Sequence, residues 1–384
     1  MTTNDVEIAI IGAGFSGLGA AIRMRQHGFD DFVLLDRGRD FGGTWRDNTY
    51  PGAACDVPSQ LYSYSFAKNP TWSRSYSHQP EIHDYINDVA ARHDIAARSR
   101  FGTEVTNAAW NEDEGRWIID TERDGKPEQV RARVMIGGVG PLCEPNLPDI
   151  DGIESFQGKI VHSARWDNDH DFTGQRVAVI GTGASAIQLV PELAKVTSRL
   201  DVYQRTAPWI VPRTERAYTK LEHWAYKNVP GYQSAVRGGI YAANEVVAFG
   251  LTYSPTALKP VELLCRANIL RGVGRDAELR RKAPPPSRSA ASASCGPTTG
   301  TPPSPGPTST SSPTGSTASP RTASSPRTAR PVRSTSSSSP PASTSPTPPS
   351  STRSSARISG ASQTSGPRSA CRATRVRSST ASRT

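Results

Sequence analysis

The last 102 residues of this 384-residue chain lack the residue types from which protein cores are built. Residues 283–384 contain no Leu, Phe, Tyr, Trp or Met, and also no His, Asn, Lys, Asp or Glu. Ser, Thr and Pro supply 65 of these 102 residues (30, 17 and 18). Such a composition cannot bury enough apolar surface to offset the loss of chain entropy on folding. Residues 283–384 are therefore predicted to form a disordered tail.

The net positive charge belongs to this tail. The whole chain carries +10, from 45 Lys+Arg and 35 Asp+Glu; the tail holds 12 Arg and no acid, so residues 1–282 hold 33 bases and 35 acids, a net of −2. A strongly basic chain invites a nucleic-acid or anionic-membrane partner. The tail has no aromatic residues to stack on bases and no basic folded face, so we predict neither partner. The alternative, an inactive fragment with a nucleic-acid-binding tail, would show in a salt-dependent gel shift.

Membrane spans, secretion signals and paired cysteines are also missing. No apolar run approaches the roughly 20 residues that a membrane-spanning helix needs, and the N-terminus does not resemble a signal peptide. Three of the five cysteines, Cys55, Cys143 and Cys265, lie singly in residues 1–282, without the spacing of a zinc or redox site. The sequence predicts a reduced, cytoplasmic protein with no metal site.

The tail also carries a genetic pattern. Of its residues, 98 are Ser, Thr, Pro, Ala, Arg, Gly or Cys, whose codons all have C or G at the second base. In a GC-rich gene the third base is nearly always C or G, and a reading frame slipped by one base would move it to second place. We therefore hypothesise that the tail is a frameshifted translation; a mucin-like linker or a basic Ser/Pro tail is the alternative. Sequencing codons 278–290 decides between them.

A first nucleotide site is predicted near the N-terminus. Residues 6–11 are a predicted buried strand, and residues 12–17 read G-A-G-F-S-G before a predicted helix. A G-x-G-x-x-G motif between a strand and a helix is typical of dinucleotide-binding units. Gly12 permits the tight turn, Gly14 lets a pyrophosphate approach the backbone, and Gly17 lets the helix pack closely on the strand. The helix N-terminus stabilises the phosphate charge.

A second site repeats this pattern. Residues 176–180 are a predicted strand, and residues 181–186 read G-T-G-A-S-A before an apolar helix. Asp36 lies 24 residues after Gly12, and Arg205 lies 24 residues after Gly181. A carboxylate at this point suits free ribose hydroxyls, whereas Arg suits a 2′-phosphate. The first site is therefore predicted to bind FAD and the second NADPH, with hydride passing between them; a merely solvated Arg205 is the alternative.

Two further stretches carry a family resemblance. Residues 42–59 read G-G-T-W-R-D-N-T-Y-P-G-A-A-C-D-V-P-S, and residues 156–167 read F-Q-G-K-I-V-H-S-A-R-W-D. The second stretch matches F-x-G-x-x-x-H-x-x-x-W-[PD], the fingerprint of type I Baeyer–Villiger monooxygenases. With both glycine motifs in order around it, residues 6–282 resemble this family. The related flavin-containing and N-hydroxylating monooxygenases share the glycine motifs but usually not the Trp-Asp end.

The resemblance implies a reaction and a set of contact residues. The implied reaction uses FAD, NADPH and O2 to convert a ketone to an ester or lactone through a C4a-peroxyflavin. The implied FAD contacts are Gly12, Gly14, Ser16, Gly17, Asp36, Thr44, Trp45, Asp56, Tyr62 and Val105. The implied NADP contacts are Ala54, Cys55, Gly181, Thr182, Gly183, Ala184, Ser185, Ala186, Ile187, Arg205 and Thr206. The fingerprint residues are Phe156, Gly158, His162, Trp166 and Asp167, and His162 and Trp166 are expected to link the domains, although a packing role for His162 is an equal alternative.

Asp56 is the catalytic candidate that the resemblance implies, as a carboxylate that holds a catalytic Arg beside the flavin; a plain loop carboxylate is the alternative. In the family that Arg belongs to a Lys-Arg pair, which should lie just beyond Lys282. Read in the slipped frame, residues 289–304 permit a segment resembling the family's, with the Arg at the codon written Ala293. Residues 336–343 likewise permit its second flavin-domain motif. As written, the chain lacks the catalytic Arg, and little or no activity is predicted.

The predicted fold class is α/β, with two Rossmann-like dinucleotide-binding domains and a helical insertion. The predicted organisation is an FAD domain at 1–150, an NADP domain at 151–215, its helical segment at 216–282 and the tail at 283–384. An enzyme with the same cofactors that oxygenates S or N remains the alternative function. The ketone and the oligomeric state are not determined by the sequence.

Overall fold

The computed structural model describes residues 3–205, 209–253, 259–274, 293–297 and 372–376. They form a mixed α/β structure, and the predicted fold class is confirmed. The strands are β1 Thr3–Ile11, β2 Phe32–Leu35, β3 Ser99–Arg100, β4 Thr103–Asn111, β5 Arg116–Arg123, β6 Lys126–Gly137, β7 Arg176–Ile180, β8 Arg199–Gln204, β9 Trp209–Arg213, β10 Ala293–Pro297 and β11 Arg372–Val376. The helices are α1 Phe15–Gln26, α2 Thr44–Asp47, α3 Gln79–Arg92, α4 Ala184–Val196, α5 Lys220–Asn228, α6 Tyr232–Tyr253 and α7 Lys259–Val273.

The first sheet has six strands in the order β3-β2-β1-β6-β5-β4. β1 pairs in parallel with β2 and with β6, while β4, β5 and β6 pair antiparallel. Because β1, α1 and β2 form one βαβ unit, the carboxyl end of β1 and the N-terminus of α1 meet at the first glycine motif. This edge of the sheet carries the first glycine motif and Asp36, which follows β2.

The residues of β1 alternate between two apolar layers, as the two-residue period of a strand requires. Ile8 and Ile10 face a cluster that includes Leu18 of α1 and Ile82 of α3. Ala9 faces the other cluster, which includes Ile119 of β5. The sheet is therefore covered on both sides at this point, which explains why residues 8–11 of β1 and the whole of β2 are apolar.

The second unit is built on β7, α4 and β8, with β7 and β8 parallel and Ile180 opposite Tyr203. Its core contains Leu189 and Leu193 of α4 together with Leu200 of β8. β11 pairs antiparallel with β8. β10 pairs in parallel with β9 in a separate two-stranded sheet.

The helical insertion consists of α5, α6 and α7. A capping box begins α5, where Thr219 Oγ1 accepts from the Glu222 N–H at 3.2 Å and a Glu222 carboxylate oxygen accepts from the Thr219 N–H at 2.8 Å. Arg237 of α6 donates to the Leu61 carbonyl at 2.8 Å, which fastens this helix to the loop before α3. Within the described ranges, no helix has the length and apolarity to cross a bilayer.

Residues 283–384 were predicted to be disordered. Apart from β10 and β11, they lie outside the described part of the chain. Ala293, where the slipped-frame reading places the Arg, begins β10 and pairs with Trp209. The domain boundaries proposed from the sequence stay predictions.

Candidate active site

The first glycine motif makes a tight turn that only glycine fits. Gly12 has φ +99°, and its N–H donates to the Leu35 carbonyl at 2.8 Å. A Cβ on Gly12 would lie 2.7 Å from the carbonyl oxygen of Gly138, and a Cβ on Gly17 would lie 1.8 Å from that of Gly12. The motif therefore holds α1 directly against β1, as its sequence predicts.

Gly14 opens a cradle at the start of α1. It is the N-cap residue, it has no side chain to cap the helix, and the first turn contains no acid. A Cβ on Gly14 would lie 3.7 Å from the Cα of Gly43, whose own φ is +54°. The Gly42 N–H donates to the Ala13 carbonyl at 3.0 Å and brings this second glycine pair alongside. A helix N-terminus lined by glycine backbone fits a pyrophosphate.

Asp36 closes the cradle from β2. The residue is only 8% exposed, and Oδ2 accepts from the Ala13 N–H at 2.7 Å. Oδ1 accepts from the Gly38 N–H at 2.6 Å and from Arg46 Nη1 at 2.9 Å. The predicted ribose ligand is thus also the anchor of the glycine loop. Arg46 was not predicted, although it lies within the stretch that carries the family resemblance.

Aromatic side chains complete the first site. Trp45 Nε1 donates to Tyr62 Oη at 2.8 Å, and the Tyr62 ring packs edge-on against Phe15 of α1 at 5.1 Å between centroids. Burial raises the pKa of Tyr62 to about 12, so its hydroxyl remains protonated. Thr44 begins α2 and Ser16 lies in the first turn of α1. Val105 lies apart on β4, against the apolar cluster that contains Leu35.

The second glycine motif forms a similar cradle at α4. Gly181 has φ +109°, and its N–H donates to the Tyr203 carbonyl at 2.9 Å. A Cβ on Gly181 or on the N-cap residue Gly183 would meet no atom within 4 Å. Arg205 follows β8 directly and is exposed at this edge. Thr206 lies outside the described residues. The remaining predicted contacts from α4 are Ala184, Ser185, Ala186 and Ile187, with Thr182 in the turn before them.

Gln188 of α4, which is 3% exposed, ties the helix of the second cradle to residues 50–56. Its Oε1 accepts from Tyr50 Oη at 2.9 Å and from the Ala54 N–H at 3.1 Å. Its Nε2 donates to the Ala54 carbonyl at 2.9 Å and to Asp56 Oδ1 at 3.0 Å. The predicted NADP residue Ala54 therefore lies against the helix of the second site, whereas Cys55 packs into the cluster that contains Ile8 and Leu18. A polar residue between Ile187 and Leu189 was the only sequence signal for this role.

Asp56 is half-buried and faces a guanidinium. Arg213 of β9 is 2% exposed, and its Nη1 lies 3.5 Å from Asp56 Oδ1 and 3.4 Å from the Cys55 carbonyl oxygen. Burial raises the pKa of Asp56, and the hydrogen bonds from Gln188 and Arg213 oppose that rise. Asp56 thus faces an arginine, while its catalytic role stays a prediction. This arginine comes from β9, however, and was not predicted from the sequence.

Residues 5–221 of the chain match a known protein family. The family model described as "Flavin-binding monooxygenase-like" matches residues 5–221, which include both cradles, Asp56 and Arg213. The chain belongs to this family. A Baeyer-Villiger monooxygenase of Pseudomonas aeruginosa is 44% identical over 279 residues, which are 73% of this chain and 52% of that protein. One from Streptomyces coelicolor is 45% identical over 280 residues, which are 73% of this chain and 53% of that protein. The chain spans about half the length of these relatives.

Solved structures of flavin monooxygenases share the fold. A cyclohexanone monooxygenase from Rhodococcus sp. Phi1 bound to NADP+ superposes with a TM-score of 0.66 at 29% identity, covering 77% of this chain and 62% of its own. An oxidised steroid monooxygenase bound to NADP gives a TM-score of 0.62 at 32% identity, covering 74% and 60%. The fold of the described chain is therefore that of the flavin monooxygenases.

The fingerprint residues of this flavin monooxygenase-like chain lie beside the unit formed by β7, α4 and β8. Trp166 packs into the core of that unit and stacks on Phe172 at 5.0 Å between centroids. Asp167 pairs with Lys159 at 2.7 Å, and His162 Nδ1 accepts from the Ala164 N–H at 3.1 Å. Phe156 is exposed, and Gly158 lies under its ring. The linking role of His162 and Trp166 stays a prediction.

Arg213 is also part of a charge cluster around the buried carboxylate of Glu215. Its Nη2 donates to Glu215, which also accepts from Arg74 at 2.5 Å and from His78 Nε2 at 3.1 Å. Burial opposes ionisation of Glu215, but the hydrogen bonds from Arg213, Arg74 and His78 outweigh it and lower its pKa to about 2. Among the described residues, no group of three or more His, Cys, Asp or Glu could hold a metal ion.

Glu215→Gln is expected to lower the free energy of unfolding at pH 7 by about 3 kcal/mol, because the buried Arg213 guanidinium loses the carboxylate at Nη2 and keeps the longer contact of 3.5 Å with Asp56. The pKa of Glu215 is depressed on folding, so its contribution is present above the usual pKa of 4.5 and is lost as the pH falls towards about 2. Urea unfolding from pH 7 to 2.5 should show the difference from wild type shrinking below pH 4.5. Glu192→Gln, which removes the exposed pair with Lys195, should cost less than about 1 kcal/mol. An equal effect of both substitutions would contradict this.

Proposed function

We propose that the chain derives from an FAD- and NADPH-dependent Baeyer–Villiger monooxygenase, which inserts one oxygen of O2 beside a ketone carbonyl to give an ester or lactone. The observation that carries the proposal is the pair of glycine cradles at the N-termini of α1 and α4, with Asp56 between them and joined to α4 by Gln188. The relatives with this name and the NADP-bound solved structures support it.

The first cradle fits FAD. Gly12 and Gly14 would hold the pyrophosphate at the start of α1, where Gly14 presents backbone without a side chain. Asp36 presents its carboxylate at the end of β2, and Trp45 with Tyr62 lines the opposite side. When bound, the flavin accepts hydride and activates O2. The protein binds and orients it and excludes water.

The second cradle fits NADPH. The open backbone at Gly181 and Gly183 would take the pyrophosphate, and the exposed Arg205 beside it would take the 2′-phosphate. Between the cradles, Arg213 favours the ionised form of Asp56 although the carboxylate is half-buried. In a site that excludes water, the positive charge of Arg213 would also stabilise the negative charge that develops on an oxygen of the substrate.

Arg205→Ala is expected to weaken NADP+ binding by about 10- to 100-fold, the value of one lost charge-assisted hydrogen bond to phosphate, and to leave NAD+ binding unchanged. Fluorescence titration of the purified chain with each nucleotide measures this. Arg199→Ala is the matched control, because Arg199 lies at the other end of β8 and pairs with Asp201. If the Arg205 variant bound NADP+ as tightly as wild type, Arg205 would not be the residue that binds the 2′-phosphate.

The 384-residue chain itself is proposed to have little or no activity on ketones, because Ala293 stands where the slipped-frame reading has the family arginine. Purified protein should be assayed for bound flavin, for NADPH oxidation dependent on a cyclic ketone, and for products from that ketone and from a thioether. Bound flavin with little or no ester formation is expected. Rapid turnover would contradict the impairment, and sulfoxide as the main product would favour S-oxygenation. A cytoplasmic location is also proposed, and among the described residues Cys55, Cys143 and Cys265 form no disulfide.

A further inference from the structure

Gln188 is a buried amide whose hydrogen-bonding capacity is fully used. It lies in the second turn of α4, after the N-cap Gly183, in a helix that is otherwise apolar at this point. Burying a primary amide is unfavourable unless its donors and acceptor are paired. Two hydrogen bonds to Oε1 and two from Nε2, all between 2.9 and 3.1 Å, satisfy it. The amide orientation is therefore determined by its partners.

All four bonds go to residues 50–56, which are 132 to 138 positions away in the sequence. The amide contacts both the N–H and the carbonyl of Ala54, as a neighbouring strand would, and so determines the direction of the chain into Asp56. Gly52, with φ +82°, lies directly on α4, since a Cβ there would be 2.7 Å from the Gln188 carbonyl oxygen. Residues 50–56 therefore cannot shift along α4 without breaking these contacts.

We propose that Gln188 is a positioning residue that ties the Asp56 carboxylate to the helix of the second nucleotide site, so that each site's affinity depends on occupation of the other. The inference rests on the proposed function for the identity of the two nucleotides. A phosphate bound at the N-terminus of α4 restrains that helix, and the helix restrains residues 54–56. By linkage the effect is reciprocal, and couplings of this kind amount to roughly 5- to 150-fold in affinity.

The experiment measures FAD binding to the full 384-residue protein, without and with saturating NADP+, by quenching of flavin fluorescence. For wild type we expect FAD to bind about 10-fold more tightly with NADP+ present, together with a shift in the flavin absorption spectrum. Gln188→Leu should reduce the coupling to about 1-fold and abolish the spectral shift, while each nucleotide alone still binds. Tyr50→Phe is the matched control, because it removes one bond to Gln188 and leaves those to Ala54 and Asp56; it should retain the coupling.

Gln188→Glu separates positioning from packing. It preserves the shape of the side chain and the acceptor for Tyr50 and Ala54, but it places a carboxylate oxygen about 3.0 Å from Asp56 Oδ1, with Arg213 as the facing cation. It should also lose the coupling at pH 7.5 while melting cooperatively, which keeps the test valid if the Leu variant does not fold. Coupling retained in either folded Gln188 variant, or lost in Tyr50→Phe, would overturn the inference. Wild type that binds both nucleotides without coupling overturns the inference alone, whereas wild type that binds neither overturns the proposed function as well.

Discussion

Gly17→Ala is expected to abolish flavin retention and to lower the free energy of unfolding by at least about 3 kcal/mol. The added Cβ would lie 1.8 Å from the Gly12 carbonyl oxygen and 3.4 Å from Ile10 Cγ2. The nearer atom belongs to the backbone of the turn and cannot rotate away, so α1 must move off β1. That movement opens the core around Leu18 and displaces the helix N-terminus from the phosphate position.

Two other glycine substitutions serve as controls for this prediction. Gly238→Ala on the exposed face of α6 meets no atom within 4 Å and should stabilise the chain by about 0.5–1 kcal/mol. Gly14→Ala makes only an ordinary contact at 3.7 Å, so it should leave the stability nearly unchanged and still block the pyrophosphate. Urea unfolding of the flavin-free protein and flavin absorbance after gel filtration measure the two effects. A Gly17→Ala protein that is as stable as Gly14→Ala would show that close packing of α1 on β1 is not required.

Restoring the reading frame ahead of residue 283 is expected to raise ketone-dependent NADPH oxidation by about 100-fold or more. The restored segment would supply an arginine at the codon now written Ala293, and removal of one such preorganised donor of positive charge typically costs about 100- to 1,000-fold in rate. In the described structure Ala293 is the first residue of β10 and pairs with Trp209, the first residue of β9. Arg213 is the last residue of β9. Turnover of a cyclic ketone by the two proteins gives the comparison.

The control is the frame-corrected chain with alanine at that single codon. It should bind FAD and NADP+ like the corrected chain and turn over the ketone at about one hundredth of its rate. If the corrected gene has no open reading frame, the frameshift hypothesis is wrong. If the alanine control is fully active, the role assigned to the arginine is wrong. Because Arg213 already faces Asp56, full activity of the control would assign the required charge to Arg213.

The glycine motifs were predictable because their constraints are local. A positive φ at Gly12 and Gly181, and a helix packed against the preceding strand at Gly17, are needed at these spacings in any βαβ unit that binds a dinucleotide. The predicted strands at 6–11 and 176–180 correspond to the later part of β1 and to the whole of β7. The helical insertion was predicted from family resemblance and is present as α5 to α7.

The contacts around Asp56 were not predictable in this way. Arg213 and Gln188 reach it across 157 and 132 residues of sequence, and neither residue belongs to a spacing pattern that marks its partner. Arg46 lies only ten residues from Asp36, yet the pairing depends on how the loop after β2 turns back. The family resemblance implied that Asp56 holds an arginine, but the sequence did not indicate Arg213.

The amino-acid sequence by itself determined the two βαβ units with their glycine turns and the order of the two units, because glycine spacing acts within a few residues. Only the tertiary structure decided that α4 presents an amide to residues 50–56 and that β9 buries a guanidinium beside Asp56. Those contacts form because packing α4 and β9 against one loop removes water from their polar groups. Each buried group must then find its partner within the protein, however distant in sequence.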